Sequence, residues 1–174
     1  RVLESTVVFN ELMYHPVGDS GDQQEWVELY NQLAVDVDLS GWHLSAAVNY
    51  QFPAGTRIPS GGHVLIAADP IAFQRQTGFE VFGPLEGRLS NNGERLELRN
   101  KSGRLMDHLD YGDDDPWPVS PDGSGSTLAK SRPMSGSVKP ENWAPSDYIG
   151  GTPLAENFPP FTTEVQNETL IDSK

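Results

Sequence analysis

Strand-forming runs in this chain are short, and glycine or proline closes most of them. The 17 glycines and 14 prolines among 174 residues interrupt a helical period before it can bury a face. Val7-Val8-Phe9-Asn10-Glu11-Leu12-Met13-Tyr14 is rich in strand formers and ends at His15-Pro16, where proline removes the next ladder donor. Glu25 to Tyr30 alternates, with Val27 and Leu29 on one face and Trp26, Glu28 and Tyr30 on the other. Val35 to Leu39 and Trp42 to Leu44 are short extended pieces around Gly41, which marks a bend or bulge. His63 to Ala68 is apolar on both faces, as a central strand is. Glu94 to Arg99 alternates again, turns through Asn100-Lys101-Ser102-Gly103 and continues into Arg104 to Tyr111, which predicts a hairpin. Thr127 to Arg132 reads as a further strand. A single helix is predicted over Ile71 to Thr77: Asp69 caps its donors, Pro70 suits its first position and Gly78 closes it. The expected class is an all-β sandwich with one short helix.

One core is the expectation for a chain of 19.1 kDa, as domains most often hold roughly 100–150 residues. Residues 1–157 read as that domain. From Phe158 the chain turns to Pro159-Pro160 and a polar end without period, so residues 158–174 read as a linker toward a following domain. The start at Arg1 without Met reads as an excised piece of a larger protein. A formal charge of −13 repels phosphate backbones and anionic lipid, so nucleic acid is not expected, and no stretch approaches the roughly 18 uninterrupted apolar residues that membrane insertion needs. With no cysteine there is no disulfide and no thiolate metal ligand.

Several segments in order resemble one family. They are Phe9-Asn10-Glu11-Leu12-Met13-Tyr14, Glu25-Trp26-Val27-Glu28-Leu29-Tyr30-Asn31 and Asp38-Leu39-Ser40-Gly41-Trp42-His43-Leu44-Ser45, then Phe52-Pro53-Ala54-Gly55-Thr56, Ile58-Pro59-Ser60-Gly61-Gly62 and Leu89-Ser90-Asn91-Asn92-Gly93-Glu94. Asp110-Tyr111-Gly112-Asp113, Trp117-Pro118, Gly150-Gly151-Thr152-Pro153 and Asn157 complete the series. Together they resemble a bacterial lamin tail domain. The resemblance implies an immunoglobulin-like β-sandwich serving as a non-catalytic structural or binding module of an extracellular or cell-envelope protein. Expected partners are neighbouring domains of the parent protein, a surface protein or a glycan. No catalytic residue carries over, and without a coiled-coil rod no filament assembly is implied.

Several residues have both a chemical and an ordinary structural use. Gly18-Asp19-Ser20-Gly21-Asp22 echoes a serine-protease segment, but His43 and His63 follow it in the wrong order, so it reads as coincidence. His15, His43, His63 and His108 lack any metal-ligand spacing. An acidic-residue hydrolase would pair Glu11 with Glu25 or Glu28; carboxylates on a solvent-facing strand are the plainer reading. Of the tryptophans, Trp42 is assigned to the core, while Trp117 and Trp143 lie in proline-flanked loops over the sandwich end. Trp26, on the polar face of its strand, is best placed for exposure. Trp26 and Trp117 are therefore the candidate ligand-contacting residues of a glycan-binding accessory domain. Two oxygen-rich clusters could take calcium: Asp19, Asp22 and Glu25 near the first loop, and Asp110, Asp113, Asp114 and Asp115 after the hairpin. No other cofactor is expected.

Overall fold

In the computed structural model, which describes residues 6–18 and 21–160, strand β1 (Val7–Met13) ends just before His15-Pro16, and β2 (Trp26–Asn31) returns antiparallel beside it. The chain continues through β3 (Val37–Asp38), β4 (His43–Ala46), β5 (Val48–Gln51), β6 (Arg57–Ile58) and β7 (His63–Ala67). Helix α1 (Pro70–Thr77) follows, then β8 (Glu86–Gly87), β9 (Glu94–Arg99), β10 (Leu105–Tyr111), β11 (Leu128–Lys130) and β12 (Trp143–Pro145). Helix and hairpin form as predicted. The Asp69 carboxylate accepts from the Ala72 amide at 2.9 Å, and Gly78 closes the helix at φ +82°.

Two five-stranded sheets make the sandwich. The first has the order β12-β11-β1-β2-β7, the second β10-β9-β4-β5-β8, with β3 and β6 pairing separately. Phe9, Leu12, Val27, Leu29, Leu44, Leu96, Leu98 and Leu109 fill the space between the sheets with essentially no exposure, and Trp42 joins them as expected. Phe9 and Leu12 are three residues apart, so a regular strand would send them to opposite faces. A β-bulge between Phe9 and Glu11 restores the phase by adding one residue opposite β2. It also brings Asn10 and Glu11 together against Glu28.

The outer face of the first sheet departs from the sequence reading. Alternation in β2 predicts that Trp26 and Glu28 face solvent, yet Trp26 is only 3% exposed and Glu28 is fully buried. Met13, Trp26, Leu65 and Ala67 form a second apolar cluster there, covered by Phe73 of α1, by Val81 and by Leu154. Trp143, expected in a loop, is a buried residue of β12. Most of the predicted linker, residues 161–174, lies outside the described residues.

Candidate functional site

Glu11 and Glu28 are direct partners in the β1–β2 register, and residues 150–157 cross the sheet above them. The Glu11 carboxylate accepts from the Thr127 hydroxyl, from the Thr152 amide at 3.0 and 3.2 Å, and from the Thr152 hydroxyl at 3.1 Å. Glu28 accepts from the Asn10 side-chain amide at 2.8 Å and the Leu154 amide at 2.5 Å. Buried Asn157 donates to the carbonyls of Asn10 and Lys130, each at 3.0 Å. The strap therefore satisfies groups on both β1 and β11. Gly151 permits its approach: at φ +72°, any added Cβ would collide with the Glu11 carboxylate and the Thr127 side chain.

Burial sets the acidity of this pair. Loss of water pushes Glu28 up to about 8, against the pull of the Leu154 amide and Asn10, and the neighbouring Glu11 carboxylate adds to the rise. Burial also raises Glu11, with the Thr127 and Thr152 hydrogen bonds opposing it. All four carboxylate oxygens hold donors from the chain itself. The pair thus fastens the strap, and neither oxygen pair is open toward a cleft as a hydrolytic acid and base would need.

A second buried polar set ties the two sheets. Fully buried Lys130 donates to the Ser137 hydroxyl at 2.9 Å, which donates to Asp107 at 2.6 Å; the Phe9 amide also donates to Asp107, at 2.9 Å. The Lys130 ammonium lies 5.3 Å from the centre of the Trp143 ring. Burial lowers Lys130 to about 8, against the attraction of Asp107, and raises Asp107. The sequence reading missed this set; the one available signal was a lysine inside a predicted strand.

The residues singled out from sequence do not assemble into one site. Trp26 is covered by α1 and meets Phe73 edge-on, with ring centroids 6.3 Å apart, which corrects its assignment to an exposed surface. Trp117 is half-buried and tilted against Trp143 at 6.5 Å, over the end of the sandwich. Glu25 is 2% exposed and accepts from the Leu89 amide at 2.8 Å. Asp110 pairs across the hairpin with Arg95 at 3.0 Å. Asp113 is half-buried, Asp114 and Asp115 are exposed, and the Asp114 carbonyl accepts from the Trp117 amide at 2.8 Å. Asp19 lies outside the described residues, as does the Asp22 side chain. Among the described residues no three acidic or imidazole groups converge as a metal site requires.

The open polar surface lies instead on the second sheet. A groove of about 650 Å³ runs along the edge of the β4–β5 hairpin, lined by His43, Asn49, Tyr50, Gln51, Glu86 and Lys101 with backbone from Gly41 and Gly83. His43 and Gln51 are register partners, so the sheet itself fixes their spacing. Gly41, at φ +72°, brings its turn against the aliphatic stem of Lys101. The Tyr50 ring packs edge-on to Phe52 at 5.2 Å. The alternation of Asn49 and Gln51 with Val48 and Tyr50 was the local signal for this face.

The lamin tail domain family model matches residues 3–113. A crystal structure of a DUF4876 family protein from Bacteroides thetaiotaomicron VPI-5482 superposes with a TM-score of 0.54 at 10% identity, covering 93% of this chain and 73% of that one. At such identity the likeness speaks for the fold alone. No curated protein matches. The immunoglobulin-like sandwich and the matched segment agree: this chain belongs to the lamin tail domain family.

Proposed function

We propose that this domain is a non-catalytic binding or structural module of a larger extracellular or cell-envelope protein, joined to neighbouring domains or recognising a surface protein or glycan. One contrast carries the reading. Four buried carboxylate and ammonium groups in unusual surroundings, Glu11, Glu28, Asp107 and Lys130, are engaged within the fold, whereas free polar side chains gather in an open groove. Perturbed acids and bases mark catalysis when they face a cleft; here they hold a strap and join two sheets. The family is one of non-enzymatic immunoglobulin-like modules, which supports the same reading. The net charge of −13 disfavours nucleic acid as a partner. Among the described residues no helix is long and apolar enough to cross a membrane.

A screen of ester, peptide and glycoside substrates tests the non-catalytic half of the proposal. No turnover is expected from the wild type. Turnover abolished in Glu11→Gln with the fold intact would overturn it.

A further inference from the structure

We infer that the groove between the β4–β5 hairpin, the Gly83–Glu86 segment and Lys101 binds a neutral oligosaccharide, an inference that rests on the binding-module reading. Its volume of about 650 Å³ lies within the roughly 300–1,000 Å³ of small-ligand sites. A shallower concavity around Ser40 and Phe52 to Ala54 shares Gly41, Gln51 and Lys101 with it, so the surface extends as a chain of sugar rings would.

Among the described residues, His43, Asn49, Gln51, Glu86 and Lys101 make no side-chain hydrogen bond within the chain. Their neighbours on the same sheet are knitted together: Arg95 bonds Glu97 at 2.8 Å and Asp110 at 3.0 Å, and Arg99 bonds Glu97 at 2.6 Å. Open polar groups are thus gathered in the concavity, where a ligand can satisfy them.

The chemical types select the ligand. Sugar hydroxyls both donate and accept, and the planar amides of Asn49 and Gln51 offer both functions at fixed geometry. Tyr50 also lines the groove, held in place by packing against Phe52 and Phe82. Glu86 and Lys101 cancel in formal charge, and the chain as a whole carries −13, so an anionic ligand gains nothing from the field.

Amide chemical-shift titration of the full 174-residue chain with cellohexaose, xylohexaose, mannohexaose and chitohexaose tests this. At least one should bind with a dissociation constant between about 10 μM and 1 mM, with shifts centred on His43, Asn49, Gln51 and Lys101. Asn49→Ala and Gln51→Ala should each weaken binding about tenfold or more, whereas Arg95→Ala on the knitted part of the face should leave it unchanged. All three positions are solvent-facing, and unchanged melting temperatures would establish that the variants fold. No shift with any of the four sugars at about 10 mM, or equal affinity in Gln51→Ala, would overturn the inference. Hydrolysis of a bound sugar would instead overturn the non-catalytic reading and leave the groove assignment standing.

Discussion

Glu11 and Glu28 face each other across β1 and β2, both fully buried, and each holds a backbone amide of the strap that covers them. Two adjacent carboxylates withdrawn from water cannot both ionise cheaply. The folded state therefore keeps a proton that the unfolded chain releases.

Stability should fall as pH rises from about 4.5 to about 8. A carboxyl whose folded value is raised to about 8 contributes fully below its unfolded value of 4.5 and loses that contribution as pH passes through the folded value. The loss should be on the order of 2–4 kcal/mol. Lys130, lowered to about 8, acts in the next window: its folded state favours the neutral amine, so its penalty fades as pH climbs from about 8 toward 10.5. Urea midpoints measured from pH 5 to 10 should pass through a minimum near 8. Glu28→Gln should flatten the acidic limb; a profile parallel to wild type would mean that another group controls it.

Asn157→Ala should destabilise by about 1–3 kcal/mol, because the carbonyls of Asn10 and Lys130 lose buried donors. Thermal melts of chains ending at residue 160 and at residue 149 extend the test. The first should melt close to wild type. The second strips the strap from Glu11 and Glu28 and should lose several degrees or the cooperative transition altogether.

Gly151→Ala and Gly55→Ala separate two costs. Both glycines have positive φ, at +72° and +85°, so each substitution carries about 1–2 kcal/mol of left-handed backbone strain. Only Gly151 lies against the Glu11 carboxylate and Thr127; Gly55 has nothing within 4 Å of its added Cβ. Overpacking should add about 1–3 kcal/mol at Gly151. Equal losses by urea titration would show that the strap yields freely.

Trp26→Ala and Trp42→Ala should behave alike despite opposite expectations from sequence, each costing about 3–5 kcal/mol. Trp42 fills the space between the sheets and Trp26 the layer beneath α1. A stable Trp26→Ala protein with an unchanged urea midpoint would argue that α1 does not cover that ring in solution.

The amino-acid sequence alone determined the strands that alternate, the capped helix, the β9–β10 hairpin and the placement of Trp42, because each depends on neighbours a few residues away. Period-two alternation also established that β2 has two unlike faces. It could not say what lies over the second one. Strap residues Thr152 and Leu154 meet Glu11 and Glu28 across 141 and 126 positions of sequence, and α1 meets Trp26 only through the packed sheet. The partners of Glu25 and Asp110 were hidden for the same reason: Leu89 and Arg95 lie across a crossover and a ladder. The groove arises from the β4–β5 register together with the return of the Gly83–Glu86 segment, so its open side chains come from distant stretches that no local pattern links. Tertiary packing thus decided which polar residues are buried as fasteners and which stand free, since solvation depends on what the rest of the chain places above a face.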